Sequence, residues 1–393
     1  MSKLLGKIFL SFLFLLIVGN LKVHAESQAA SHLPICPPGA NTTNVRCHAR
    51  VAVNEKGKPT ITSSPAAYGP AQFHGAYNLP VNAISGNPTI ALVLAYDNPN
   101  ALADLNFYSQ SFGIPTLADC STGAVPCFRK VNQYGGTTYP VVNAGWALES
   151  SLDVQVAHAI CQNCNILLFE ANSNSYSDLM TAVDRARMMG ATVISNSYGS
   201  GEFNGETVFD SHFNYPGVAF TFSAGDSGYG TSYPAASRFV TSVGGTTLKL
   251  GANNTYGSES VWKGTGSGCS AYESKPAWQH DTGCPRRTLN DVSAVADPNT
   301  GAAIYDSTPY NGQTGWFRVG GTSLSAPLIA GVYALSGNTS GLANSIPYFS
   351  SGLRDVTVGN NGRCKRFSSY LCTAISGYDA PTGLGTPNGI GAF

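Results

Sequence analysis

Thr89-Ile90-Ala91-Leu92-Val93-Leu94-Ala95-Tyr96 is an unbroken apolar run of strand length, and the rest of the chain is read outward from it. A strand wetted on one face alternates apolar and polar residues, whereas a strand covered on both faces is apolar throughout. Four more runs have this character: Asn165 to Glu170, Ala191 to Ser195, Val218 to Ser223 and Phe239 to Val243. The stretches Ala101 to Ser111, Gly145 to Ala159 and Ser177 to Met189 carry helical patterns. Strand and helix in alternation predict an α/β fold, a doubly wound and mostly parallel sheet with helices on both faces. After Leu250 the pattern gives way to long Gly/Ser/Asn-rich loops, interrupted by one helix from about Ser323 to Ser336.

The 393 residues, 43% of them hydrophobic, suffice for one large core or two smaller ones. Twenty-two Lys and Arg balance 22 Asp and Glu, which leaves no basic surface to hold a polyanion and argues against a nucleic-acid partner. Lys3 and Lys7 precede the apolar run Ile8 to Val18, and the small-residue site Val23-His24-Ala25 follows, the pattern of a secretory signal over residues 1 to 25. That run is shorter than the ~20 apolar residues a spanning helix needs. The mature chain is therefore expected to be secreted, extracellular, free of the membrane and monomeric. Residues 26 to 65 are polar, contain Pro37-Pro38-Gly39 and Lys56-Gly57-Lys58-Pro59, and read as a leader or arm without an apolar period.

Ten cysteines in an exported chain fall into sequence-adjacent pairs, which predicts five local disulfides: Cys36/Cys47, Cys120/Cys127, Cys161/Cys164, Cys269/Cys284 and Cys364/Cys372. Cys161-Gln162-Asn163-Cys164 lacks the second ligand pair that a zinc site requires.

Three constellations carry chemistry. Gly320-Gly321-Thr322-Ser323-Leu324-Ser325-Ala326-Pro327 opens the late helix, so Ser323 stands in the positive field of unpaired amides that would favour a developing oxyanion. Taken alone, the same sequence also reads as an ordinary N-cap. Glu149 and Asp153 lie four residues apart, on one helical face beside the stripe Leu148, Leu152 and Val156. Two carboxylates so placed share a proton and leave a base that works in acid. A solvated acidic face is the bland alternative, but Gly145 to Ala159 holds no Lys or Arg to partner them. Ser223-Ala224-Gly225-Asp226-Ser227-Gly228 follows a strand at its carboxyl end, where α/β sheets place their sites, although Asp226 is also a common turn former.

Glu-x-x-x-Asp, then Ser-x-Gly-Asp-Ser-Gly, then Gly-Thr-Ser-x-Ser-x-Pro, in this order, resembles the sedolisin family, serine-carboxyl peptidases with a subtilisin-like fold. Tyr68-Gly69-Pro70-Ala71-Gln72, Ser195-Asn196-Ser197-Tyr198-Gly199, Val243-Gly244-Gly245-Thr246-Thr247, Asp291-Val292-Ser293-Ala294 with Ala296-Asp297-Pro298, and Thr382-Gly383-Leu384-Gly385-Thr386-Pro387 resemble it too. The resemblance runs from about Pro65 to the C-terminus, which makes residues 66 to 393 the peptidase domain. It implies Ser323 as nucleophile, Glu149 as general base, Asp153 as the acid that orients it, and Asp226 in the oxyanion role. It implies that Ser197, Tyr198 and Gly199 pair with the substrate backbone as an added strand. It further implies one structural Ca2+ held by the Asp355 and Asp379 carboxylates and the carbonyls of Val356, Ile375 and Gly377, where family members commonly have Gly in place of Ile375. The function implied is a secreted, acid-acting endopeptidase working through an acyl-enzyme on protein or peptide substrates. Sedolisins usually carry a large folded pro-domain, whereas the ~40 residues between Ala25 and the catalytic region are too few for an independent core.

Two other readings compete. A subtilisin-like Ser/His/Asp enzyme would use Asp97, after the first strand, and His158, but His158 lies about 180° round the helix from Glu149. A secreted binding protein on a degenerate peptidase scaffold would have no need to keep Ser323, Glu149, Asp153 and Asp226 together.

Overall fold

Every residue from Ile90 to Ala95 is fully buried, and the strand Thr89–Ala95 stands in the middle of a nine-stranded sheet in the computed structural model, which describes residues 31–37, 44–364 and 369–393. The expected signal segment, residues 1 to 25, lies outside the described residues. Thr89–Ala95 pairs in parallel with Asn165–Ala171 on one side and with Val193–Asn196 on the other. Beyond the first lie Cys127–Asn132 and Ala118–Asp119, and beyond the second Ala219–Ser223 and Thr241–Leu250, all parallel. Tyr256–Val261 joins antiparallel to Thr241–Leu250, and Val292–Val295 joins parallel to it. This is the expected mostly parallel sheet.

Among the described residues, five helices of eight residues or more pack around the sheet: α1 (Pro70–Tyr77), α2 (Ala101–Phe112), α3 (Ala144–Ile160), α4 (Tyr176–Met188) and α5 (Thr322–Ser336). The last four lie within one or two residues of their expected bounds. α3 and α5 pack on each other and on the central strands, and α4 packs on Thr89–Ala95 and Asn165–Ala171 as well. α3 is buried all round from Trp146 to Ile160, and α5 from Thr322 to Ser336. A carboxylate on α3 therefore meets protein and not water, which is costly unless it is paired, hydrogen-bonded or protonated. No helix among the described residues is long and apolar enough to cross a membrane.

The structure corrects the sequence reading in two places. The region after Leu250 is not only loop: Ala302–Tyr310 and Gln313–Gly320 form an antiparallel hairpin that runs directly into α5. Asp306, Ser307 and Pro309, together with a register shift between Asp306 and Tyr310, break the alternation that would have announced it. The polar arm does not lie outside the fold either. Ser31–Pro34 and Arg50–Val53 pair antiparallel, Arg50–Val53 continues onto Gln313–Gly320, and Arg46–Cys47 pairs with Tyr198–Gly201. Val45, Cys47, Ala49, Val51 and Val53 are all buried, an apolar residue at every second position. Small residues and the intervening Arg46, His48 and Arg50 hid that period in the sequence.

All five expected disulfides are formed, and no free cysteine occurs among the described residues.

Candidate active site

Four segments converge at the carboxyl ends of the parallel strands: α3, the turns after Val193–Asn196 and Ala219–Ser223, and the N-terminus of α5. α3 points Glu149 and Asp153 inward together, one helical turn apart and both fully buried. The Ser197 hydroxyl donates to Asp153 Oδ1 at 2.9 Å, while Asp153 Oδ2 and both oxygens of Glu149 have no hydrogen-bond partner among the described residues. Burial is the main cause that raises both acids well above their usual range, and the Asp153 charge and then Asp226 add to it at Glu149. The Ser323 hydroxyl beside Glu149 pulls the other way. In this structure that hydroxyl donates to the Ser197 carbonyl at 3.2 Å. The carboxyl pair and the serine therefore form one contiguous buried unit.

Asp226 reaches the same place from the turn after Ala219–Ser223. Its Oδ1 accepts from the Thr322 amide at 2.8 Å and from the Thr322 hydroxyl at 3.0 Å, while Oδ2 is unpartnered. Burial pushes its pKa up to about 7, against the Thr322 hydrogen bonds and the Arg50 and Arg46 charges. With Oδ1 fixed as an acceptor, a proton on this acid belongs on Oδ2, the free atom, and makes it a donor.

Gly321 is what permits this. Its φ is +99°, and a Cβ built there would stand 2.3 Å from the His48 carbonyl oxygen and 2.5 Å from Asp226 Oδ2. Gly321→Ala should lose about 2–4 kcal/mol from backbone strain and steric conflict together. Denaturant unfolding measures it, and an unshifted midpoint would contradict this account of the turn.

Tyr198 and Gly199 open the strand Tyr198–Gly201, with Ser197 just before it, and the partner on these residues is the chain itself. Tyr198 faces Cys47 and Gly199 faces Arg46 in antiparallel register, and the His48 amide donates to the Ser197 carbonyl at 3.1 Å. The Ser323 amide donates to the His48 carbonyl at 2.9 Å. Arg46, His48 and Arg50 thus border the site although the sequence reading passed over them. Two arginines and a histidine within five residues, in a chain with only 11% charged residues, were the available signal. Beyond the His48 ring lies a cavity of about 210 Å³ walled by Gly199 to Gly201 and by Ala224 to Ser232.

The residues of the subtilisin-like alternative lie apart from this unit. Asp97 is ion-paired with Lys130 at 2.5 Å, and His158 turns its Nε2 to the Pro115 carbonyl at 2.7 Å.

At the expected calcium site, Asp355 Oδ2 accepts from the Gly377 amide at 2.7 Å and Asp379 Oδ2 from the Ile375 amide at 3.1 Å. Both carboxylates therefore address one loop. Asp379 is pushed up to about 7, chiefly by burial, and the negative charge of Asp355 adds to the shift. No cluster of three or more His, Cys, Asp or Glu able to hold a metal occurs among the described residues, so backbone carbonyls such as those of Val356, Ile375 and Gly377 would have to complete the set. Asp379 Oδ1 also accepts from the Thr382 amide and hydroxyl, both at 2.9 Å.

A model of the subtilase family matches residues 142–345, more than half of the chain. Sedolisin of Pseudomonas sp. (strain 101) is 28% identical over 387 residues, covering 87% of this chain and 63% of that protein. Kumamolisin of Bacillus sp. (strain MN-32) is 28% identical over 375 residues, covering 84% and 63%. Xanthomonalisin of Xanthomonas sp. (strain T-22) is 25% identical, covering 82% and 45%. The chain thus spans between 45% and 63% of the length of these relatives. Among solved structures, Pseudomonas sedolisin, a serine-carboxyl proteinase in complex with two molecules of pseudo-iodotyrostatin, superposes with a TM-score of 0.66 at 27% identity, covering 83% of this chain and 96% of that one.

Proposed function

The chain belongs to the subtilase family, among its sedolisin-like members, and from that premise we propose that it is a secreted, acid-acting serine-carboxyl endopeptidase. Four residues from three separate segments, Glu149 and Asp153, Asp226, and Ser323, share one buried pocket, and that observation carries the reading.

Ser323 Oγ attacks the scissile carbonyl and gives its proton to Glu149, which returns it to the departing amine. Glu149 and Asp153 hold a proton between them, and a singly ionised pair is enough to act as base. Ser197 fixes Asp153 and so the orientation of the pair. The Ser323 amide and a protonated Asp226 Oδ2 donate to the oxyanion of the tetrahedral intermediate. Substrate lies on the edge Ser197–Gly199 as an added strand. A chain segment that passes through this groove and continues at both ends, as Val45 to Arg50 does, favours endopeptidase action over the trimming of termini. Digestion of an unfolded protein at pH 4 by the purified chain, with internal cuts read by mass spectrometry, tests the reading. An inert chain, or trimming confined to termini, would refute it.

Acid also suits the stability of the protein. Burial raises Asp226 and Asp306 to about 7, Glu273 to about 8, and Glu170 and Glu206 to about 9. For such acids the folded state keeps its proton after the unfolded chain has lost it, at about pH 4. Their stabilising contribution is complete below that pH and drains away as pH rises through 7 to 9. His48, lowered to about 3 by burial, acts oppositely between pH 6.5 and 3, and His158, also lowered by burial, acts in the same direction as His48, but these groups are fewer. The melting temperature should therefore be higher at pH 5 than at pH 8.5. A curve that rises steadily to pH 8.5 would contradict these burials.

A structural Ca2+ at Asp355 and Asp379 is part of the proposal. The ion would relieve the repulsion between the two carboxylates and tie the 375–379 loop to Asp355. Excess chelator should lower the melting temperature, and Asp379→Ala should remove that sensitivity. A melting curve indifferent to both chelator and added Ca2+ would dispose of the site.

A further inference from the structure

The cavity of about 210 Å³ beside Asp226 owes its shape to backbone, because Gly225, Gly228, Gly230 and Gly266 stand in its wall and bring no side chain to define it. At Gly228 and Gly230 φ is +76° and +153°, angles that residues with a side chain rarely adopt, so this wall is pliable unless something holds it from behind. A second layer of chain, residues 264–267, does so. The Gly230 amide donates to the Ser267 carbonyl at 2.9 Å and the Ser267 amide donates back to the Gly230 carbonyl at 3.1 Å. The Gly228 amide donates to the Gly264 carbonyl, and the Gly266 amide to the Gly225 carbonyl, both at 2.8 Å. A Cβ on Gly266 would collide with the Ala224 carbonyl, so the layer lies directly against the turn that carries Asp226.

Wall and layer meet at one residue from the C-terminal region. The Asn361 carbonyl accepts from the Tyr229 amide at 2.9 Å, and its Nδ2 donates to the Thr265 carbonyl at 2.6 Å and to the Ser267 hydroxyl at 2.8 Å. A carbonyl only accepts, so the atom facing Thr265 is the NH2 group. The Ser267 hydroxyl gives its own proton to the Leu371 carbonyl at 2.7 Å, which leaves it an acceptor for Asn361. Asn361 is held in turn, since its amide donates to the Cys372 carbonyl at 3.0 Å. Asn361, Thr265 and Ser267 are all buried, and Asn361 Oδ1 has no partner among the described residues, so the side chain acts through its donors alone.

We propose that Asn361 is a positioning residue of the substrate cavity: by tying the 228–230 wall to the layer behind it, Asn361 fixes the width of the recess that takes the side chain on the acyl side of the cut bond. The proposal rests on the peptidase reading above. The cavity borders both Gly199 and Asp226, so a peptide on that strand edge with its reacting carbonyl at Asp226 places the side chain at the cavity's mouth. From Ser227 to Ser232 the wall carries no charged residue, which suits a neutral occupant. Without the Asn361 donors the buried Thr265 carbonyl loses its side-chain partner, and the layer can settle only by moving against the wall. The recess then no longer matches the side chain it holds, while Ser323, Glu149 and Asp153 stay as they are.

The test is kcat/KM at pH 4 for two peptides that differ only in Phe or Gly immediately before the cut bond, measured on the wild type, Asn361→Ala, Ser267→Ala and Asn344→Ala. Asn344 is the matched control: it is buried, donates through Nδ2 to the Arg238 and Val240 carbonyls at 3.0 and 3.1 Å, has an unpartnered Oδ1 among the described residues, and stands outside the cavity. The wild type should favour the Phe peptide by about 100-fold, the scale on which a filled side-chain pocket discriminates. Asn361→Ala should shrink that ratio about tenfold, what the net loss of one hydrogen bond accounts for. Ser267→Ala should shrink it less, and Asn344→Ala should leave it where it is. Two peptides that fall in parallel in Asn361→Ala, or an equal shrinkage in Asn344→Ala, would make Asn361 a structural residue only and overturn the proposal while the peptidase reading stands. A wild-type ratio near one would overturn it too, since the cavity would then take no side chain. If Asn361→Ala does not fold, an unchanged ratio in Ser267→Ala decides against the proposal. A wild type inert to both peptides overturns the peptidase reading and this proposal together.

Discussion

Ser323→Ala and Glu149→Gln should each lower kcat/KM for peptide hydrolysis by roughly 10⁶-fold, because nucleophile and base act as one unit and removing either removes the unit. Asp153→Asn should cost less, about 10⁴-fold, since it disturbs the orientation of Glu149 without deleting the base. The double substitution should be hardly worse than either of the first two alone. Stability separates lost chemistry from lost structure. Glu149 is a fully buried carboxyl without a hydrogen-bond partner among the described residues, so the neutral Gln should leave the melting temperature unchanged or raise it. A Glu149→Gln protein of near-normal rate would remove the carboxyl pair from the mechanism.

Asp226→Ala should cost about 10²- to 10³-fold in kcat, the usual loss when one oxyanion donor goes. Asp226→Asn should behave differently. The amide oxygen can take over the two hydrogen bonds from Thr322 now accepted by Oδ1, which puts the NH2 group where Oδ2 stands. That group donates at every pH, whereas Asp226 donates only while protonated, below about 7. Above that pH the wild-type carboxylate repels the developing oxyanion and the rate falls. The alkaline limb of Asp226→Asn should therefore extend beyond that of the wild type, even if its maximum is lower. Two limbs that coincide would show that Asp226 is not the donor.

The polar residues of the site were legible because they stand where polarity is unexpected. Glu149 and Asp153 interrupt a helix otherwise fit for the core, and Asp226 follows an apolar strand at its carboxyl end. Parallel strands were legible for the complementary reason, since burial on both faces demands continuous apolar runs. The arm was not. Its alternation of Val45, Cys47, Ala49, Val51 and Val53 is built from short side chains, and between them Arg46 and His48 line the cleft beside Asp226. What the arm does is set by long-range pairing, Arg46 with Gly199 and Val51 with Val319, which no local pattern encodes. The hairpin before α5 escaped for a similar reason: its hydrogen bonds run between segments whose composition reads as loop.

The central claim is that Ser323 works with a carboxyl base and a carboxyl oxyanion donor, and kcat/KM measured from pH 2.5 to 8.5 on wild type, Glu149→Gln and His158→Ala tests it most directly. The account predicts a wild-type maximum in acid with a decline toward neutrality, no activity in Glu149→Gln at any pH, and a His158→Ala profile that follows the wild type. A wild-type optimum at pH 7 or above, with activity kept in Glu149→Gln and lost in His158→Ala, would contradict it.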